Sequence, residues 1–279
     1  MSDRVSANRS AERRVLVVAN QKGGVGKTTT AINLGTALAA IGEQVLIIDL
    51  DPQGNASTGL GINAESRKLS SYEVLSRTAG IAEAAIETRI PRLHIVPSTL
   101  DLLGVEVELA NAKARTFRLR DALLALPQPD GGDHDGAPYS YILLDCPPAL
   151  NLLTVNAMAA ADAVLVPLQC EFFALEGLSQ LLSTVDQVKQ SLNPKLGIHG
   201  VVLTMFDRRN SLSAQVADDV REYLGDKVYQ TVIPRNVRLS EAPSYGKPAI
   251  LYDRHCSGSE AYIRLASEII RRERRLTAA

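Results

Sequence analysis

Residues 20–29 read Asn-Gln-Lys-Gly-Gly-Val-Gly-Lys-Thr-Thr, and few folds accept such a segment between the sequences that flank it. Ahead of it, Val15-Leu16-Val17-Val18-Ala19 is a short apolar, β-branched run, the pattern of a buried strand. Behind it, Ala31, Leu34, Leu38 and Ile41 recur at helical spacing. Strand, glycine loop and helix in that order form a cradle for phosphate. Gly23, Gly24 and Gly26 carry no Cβ, so the backbone N–H groups from Gly23 through Val25 to Thr29 can close on phosphate oxygens. The helix start adds partial positive charge. Lys27 is placed to reach the outer phosphates, and the Thr28 hydroxyl to ligate Mg²⁺.

The loop departs from the usual pattern in one respect. Gln21 stands where the first glycine of Gly-x-x-x-x-Gly-Lys-[Ser/Thr] belongs, and Lys22 precedes the glycines. One lysine, Lys27, suffices for the chain's own nucleotide. Lys22 is therefore read as a charge offered elsewhere, to a nucleotide in a partner subunit.

Two further strands end in aspartate. Val45-Leu46-Ile47-Ile48 leads to Asp49-Leu50-Asp51-Pro52-Gln53-Gly54-Asn55, and Tyr141-Ile142-Leu143-Leu144 leads to Asp145-Cys146-Pro147-Pro148. Ligands of open parallel sheets bind beyond the strand C-terminal ends, which brings all three carboxylates toward the glycine loop. Asp51 lies further out than Asp49 and is the candidate to orient an attacking water. Asp49 either supports a magnesium shell or holds the loop. Asp145 is the candidate metal ligand.

The rest of the chain alternates strand and helix. Strands are expected at 93–96, 163–168, 198–204 and 228–233. Helices are expected from Ser71 as cap to Arg77, and over 100–126, 152–161, 174–192, 212–224 and 258–275. Continuous apolar strands separated by helices imply a single-domain, doubly wound α/β fold with a mostly parallel sheet covered on both faces. Residues 127–138, rich in Pro, Gly and Asp, read as an exposed loop. Met1 to Arg14 lack an apolar stretch and read as a flexible arm without a signal peptide.

Composition narrows the function classes. Net charge is −1, so a nucleic-acid site must be a local patch. Residues 208–279 hold thirteen Lys/Arg against nine Asp/Glu, a local excess that charge counting alone reads either as an ordinary solvated surface or as such a patch. Cys146, Cys170 and Cys256 are far apart, which excludes metal-ligand spacing and fits free thiols in a reducing compartment. The four histidines show no motif spacing. No apolar run approaches the ~18–20 residues that span a bilayer.

Taken together, the strings 19–30, 49–55 and Val232-Ile233-Pro234-Arg235-Asn236-Val237-Arg238-Leu239-Ser240-Glu241-Ala242-Pro243 resemble the ParA/Soj chromosome- and plasmid-partition ATPases, a deviant Walker A class of P-loop NTPase. The resemblance runs from about Arg13 to Ile270. It implies an ATPase domain over 14–275, with an arm at 1–13 and a tail at 276–279. It implies ATP and Mg²⁺ as cofactors, slow partner-stimulated hydrolysis, and a homodimer with Lys22 reaching the partner's nucleotide. Asp51 matches the water-positioning residue, Pro234 and Asn236 fall near the adenine, and Arg209 and Arg238, each expected in the loop after a strand, match residues that bind non-specific duplex DNA. The implied partner is a ParB-type protein with a basic stimulating peptide, and the implied location is the cytoplasm, on the nucleoid. The 127–138 segment is longer and more acidic than the family pattern. The chain has no counterpart of the N-terminal helix-turn-helix domain of some plasmid relatives, so operator-specific repression is not expected.

Three other readings compete. A MinD-like membrane ATPase needs bulky apolar anchors on a terminal amphipathic helix, and residues 269–276 offer arginines without Phe or Trp, so no stable membrane binding is expected. A reductase or other metabolic enzyme on the same fold, like the nitrogenase iron protein, needs paired cysteines. A scaffold without turnover would not need Asp51.

Overall fold

The computed structural model describes residues 13–128 and 138–277, with side chains as far as 275. The expected arm (but for Arg13), most of the 127–138 loop and the end of the tail therefore lie outside the described residues. Arg13 itself donates to the carbonyls of Leu123, Pro127 and Tyr139.

Seven strands form one sheet: β1 (Arg14–Val18), β2 (Val45–Asp49), β3 (Ile86–Glu87), β4 (Leu93–Val96), β5 (Tyr141–Asp145), β6 (Ala163–Gln169) and β7 (Gly197–Thr204). Their order is β3-β4-β2-β5-β1-β6-β7. Every pairing is parallel except β3 with β4.

Side chains alternate between the two faces, as strand geometry requires. Leu16, Val18, Val45, Ile47 and Leu143 join one core, and Val15, Val17, Leu46, Ile48 and Leu144 join the other. Helix α1 (Lys27–Ala40) is buried on nearly all sides in the first core, against the sheet and the C-terminal helix Ser257–Thr277. It approaches the sheet closely at Gly35, where a Cβ would lie 2.9 Å from Ile47 Cδ1. The second core is roofed by the helices Arg118–Leu124, Leu152–Ala160, Ala174–Ser191 and Ser211–Leu224. Each fully buried aliphatic side chain contributes about 1.5–3 kcal/mol of transfer free energy.

Four expectations need correction. The segment 228–233 is extended but is not a strand. Tyr229 and Ile233 donate to Val201 and Leu203 of β7, whereas the N–H groups between them, on Gln230 and Thr231, turn to the Glu268 carboxylate at 2.8 and 3.0 Å. The ladder is thereby interrupted, leaving isolated bridges at Val201–Val228 and Phe206–Pro234. The 100–126 region is broken into short helical pieces over 100–108 and 115–124. Ala114 adopts a left-handed conformation (φ 55°), and Asn156 takes over the local backbone, donating to the Arg115 carbonyl and accepting from Leu119 N–H. The cap of the helix Ser71–Ser76 is Ser70, whose hydroxyl accepts from Tyr72 N–H while Glu73 reaches back to Ser70 N–H. Arg238 lies in a short helix, Val237–Glu241, rather than a loop.

Candidate functional site

Strand order decides the site. β2, β5 and β1 are neighbours, and in register Asp49 faces Asp145 while Asp145 faces Val18. The three sequence motifs, separated by as many as 120 residues, thus end at one edge of the sheet.

The glycine loop leaves β1 and is tied down at both ends. Asn20 Nδ2 donates to the Pro167 carbonyl at 2.8 Å, and Asn20 Oδ1 accepts from Lys22 N–H. Pro167 lies past the last β1–β6 pairing, where a strand can do without an N–H. Toward the other end of the loop, Thr204 at the end of β7 donates to the Val25 carbonyl at 2.8 Å. Gly24 and Gly26 have φ of 75° and 89°, a region side chains other than glycine avoid, and Gly26 delivers the chain into α1. Gly23 and Gly24 are exposed, Val25 is buried, and Thr28 and Thr29 are half-buried on the first turn. Lys27 is buried and donates to the Lys22 carbonyl at 2.9 Å. Burial lowers its pKa, and the neighbouring Asp145 and Asp51 work against that shift.

The three aspartates meet different fates. Asp145 is fully buried, and among the described residues neither of its oxygens has a hydrogen-bond partner. Burial, then the nearby Asp49 charge, pushes its pKa well above the usual range; Thr28 and Lys27 act the other way. Asp49 is equally buried but fully engaged. Its Oδ1 accepts from Asp51 N–H at 3.2 Å, and its Oδ2 accepts from the Ser57 N–H and hydroxyl at 2.9 and 2.7 Å. Burial raises its pKa to about 6. Of the two roles open to Asp49, the geometry favours holding the loop. Asp51 is partly exposed; its Oδ1 accepts from Gln53 N–H, and its carbonyl from the Ser98 hydroxyl at 2.6 Å.

Two orphaned carboxylate oxygens of Asp145 and the nearby Thr28 hydroxyl form an all-oxygen donor set that suits a small hard cation. No compact cluster of three or more His, Cys, Asp or Glu exists among the described residues. A cation here would therefore keep water and substrate oxygens in its shell.

The rim carries the remaining candidates. Lys22 is exposed, and its Nζ lies 2.5 Å from Glu171 Oε2; Gln169 binds the other oxygen of that carboxylate. Phe206 and Pro234 bridge beside Thr204, which places Pro234 on the flank of the loop. Asn236 caps the helix 237–241 through Oδ1 and donates to Ser257 Oγ at 2.9 Å. Arg209 is 89% exposed and forks onto Asp207, whose pKa it pulls down to about 2. Arg238 is exposed, 2.9 Å from Glu241 and 3.6 Å from Asp253. Sequence reasoning missed Glu171, Asp207, Ser57, Ser98 and Thr204. Each is a single polar residue outside any spaced motif, and only the fold brings it to the edge.

Comparison with known proteins adds the family. A family model described as an AAA domain matches residues 13–198. The chromosome partitioning protein ParA of Caulobacter vibrioides is 64% identical over 261 residues, covering 94% of this chain and 95% of its own length. This chain belongs to the ParA/Soj family of chromosome-partitioning ATPases. A second ParA/Soj relative, the sporulation initiation inhibitor protein Soj of Bacillus subtilis, is 50% identical, covering 92% and 98% of the two chains. Among solved structures, cobyrinic acid a,c-diamide synthase from Mycobacterium smegmatis with bound ADP and magnesium superimposes with a TM-score of 0.78 at 35% identity, covering 94% and 96%. The cell division ATPase MinD of Pyrococcus furiosus superimposes at 0.73 with 26% identity, covering 92% and 98%. No helix among the described residues is long and apolar enough to cross a membrane.

Proposed function

We propose that this chain is a nucleotide-driven DNA-segregation switch. It binds ATP with Mg²⁺, dimerises face to face, holds duplex DNA without sequence preference on the nucleoid, and lets go after a slow hydrolysis to ADP and phosphate. A ParB-type protein accelerates that hydrolysis. The observation that carries the reading is the meeting of the glycine loop, Asp145 and Asp51 at one sheet edge, with Lys22 directed outward beside them. The M. smegmatis neighbour, solved with ADP and with an ATP analogue, each with magnesium, supports the choice of ligands.

Each residue has a role in this scheme. The N–H groups of residues 23–29 and the Lys27 ammonium bind the phosphates. Thr28 and Asp145 hold the metal, and Asp49 keeps the loop that carries Asp51 in place. Bound Mg²⁺ would supply charge neutralisation to the phosphates. Asp51 orients a water for in-line attack. Lys22 leaves Glu171 and spans the dimer interface, while Pro234 and Asn236 flank the base. Arg209 and Arg238 contact DNA phosphates, which carry no sequence information.

The test is binding to duplex DNA of unrelated sequences with ADP, ATP and a slowly hydrolysed analogue, across salt. Binding should require ATP or the analogue and ignore sequence. It should weaken steeply with salt, the slope scaling with the number of phosphate contacts. The Arg209→Glu/Arg238→Glu variant should dimerise with ATP but lose DNA. Tight binding by the ADP form, or normal binding by the double variant, would overturn the reading. Liposome pelleting separates it from the MinD-like alternative: the protein should stay in the supernatant.

A further inference from the structure

We infer that Ser98 is a positioning residue for Asp51, an inference that rests on the proposed role of Asp51. Ser98 follows β4, three strand positions away from the strand that carries the glycine loop, and no motif includes it. It is fully buried. Its hydroxyl donates to the Asp51 carbonyl at 2.6 Å, and its N–H donates to Ser57 Oγ at 3.1 Å. Ser57 in turn donates to Asp49 Oδ2, and Asp49 Oδ1 accepts from Asp51 N–H. The chain of bonds is closed: Asp51, Ser98, Ser57, Asp49 and back to Asp51. Both backbone groups of Asp51 are held within it, so the root of the carboxylate is fixed, and Gln53 N–H holds Oδ1.

Arg67 seals the same unit from outside. Its Nη1 donates to the Ser98 carbonyl at 3.1 Å, and its Nη2 to Thr58 Oγ1 at 2.8 Å and to the Ile62 carbonyl at 2.8 Å. The guanidinium lies so close to Gly54 that a Cβ there would stand 2.3 Å from Nη1. Gly54 N–H also donates to the Asp51 carbonyl at 2.9 Å. The turn 51–54 is thus pressed between the arginine and the serine. A water-orienting carboxylate works only within a narrow range of positions, and a displacement of ~1 Å can cost about a hundredfold in rate.

The experiment compares the full-length protein with Ser98→Ala, Asp51→Ala and, as a control, Ser70→Ala. Ser70→Ala removes hydroxyl bonds to Tyr72 N–H, Glu73 and Thr99 at a neighbouring helix start, none of them a bond to 51–57. ATP turnover, KM, affinity for a fluorescent ATP analogue and thermal midpoint are measured on each. Ser98→Ala should lower kcat about ten- to a hundredfold with KM and analogue affinity within about threefold. Ser70→Ala should lower the midpoint without that loss of kcat. Unchanged kcat in Ser98→Ala beside a dead Asp51→Ala overturns this inference alone. So does a Ser98→Ala defect matched by Ser70→Ala, or one confined to nucleotide affinity. Full turnover by Asp51→Ala overturns the reading of Asp51 and the inference with it.

Discussion

Replacing Asp145 by Asn should make the nucleotide-free protein more stable. Asp145 and Asp49 are paired in register on adjacent strand ends, and both are inaccessible to solvent. Asp49 accepts three hydrogen bonds and is still raised from 3.8 to about 6. That shift of roughly two pKa units corresponds to about 3 kcal/mol. Asp145 has no such bonds among the described residues, and burial and the Asp49 charge hold its pKa well above the usual carboxylate range, so its ionised form also costs the folded state free energy. Asn removes the charge but leaves a buried amide, worth about 1–3 kcal/mol in the other direction. The charge removed outweighs the amide left behind, and the variant should melt a few degrees above the parent. The sign of the pH dependence follows from the raised pKa. Folded parent protein keeps a proton that the unfolded chain has shed, so parent stability falls as pH rises through the folded value. Asn does not titrate. The variant's advantage should therefore grow as pH rises above the ordinary carboxylate range and shrink toward pH 4. Melting in EDTA across that range measures it. With MgATP the order should reverse, because ligand stabilises only the parent. A variant that melts below the parent at pH 8 without nucleotide would refute the argument that Asp145 is an uncompensated charge.

Three shorter predictions concern other residues. Lys27→Ala removes the buried ammonium and should weaken ATP binding roughly ten- to a hundredfold, the range of a lost charge-assisted bond; a titration with labelled ATP decides it. Lys22→Ala should bind ATP normally yet remain monomeric by light scattering, since its present partner Glu171 is on the same chain and exposed. Glu268→Ala strips the acceptor from two backbone N–H groups and should lower stability by about 1–2 kcal/mol while ATP affinity stays unchanged.

Much of this architecture is legible in the sequence because its strands are continuous apolar runs that end in chemistry. Val15–Val18, Val45–Ile48 and Tyr141–Leu144 each announce both their burial and the residue placed at the edge. The glycine loop is legible for the same local reason. What escapes the sequence depends on partners far along the chain. Residues 228–233 carry a strand's composition, yet Glu268, about forty residues later, takes two of the N–H groups a strand would need. The expected helix 100–126 is broken at Ala114, and Asn156, some forty residues later, inserts between the Arg115 carbonyl and Leu119 N–H. The carboxylates that hold Arg209 and Arg238 are near in sequence, but charge counting treats them as background. The two roles weighed for Asp49 could be separated only once Ser57 was seen against its carboxylate.

The interleaved strand order also bears on synthesis. β1 and β2 leave the ribosome first but never touch; β5, almost a hundred residues later than β2, slots between them. A nascent chain that ends before Tyr141 already contains the whole glycine loop and Asp51, yet lacks the strand that joins them and the Asp145 carboxylate. Such non-local pairing is slow to form and cannot begin early. Half-made chains therefore carry the nucleotide motif in their sequence without the pocket that gives it affinity, and a cell full of them draws nothing from its nucleotide pool.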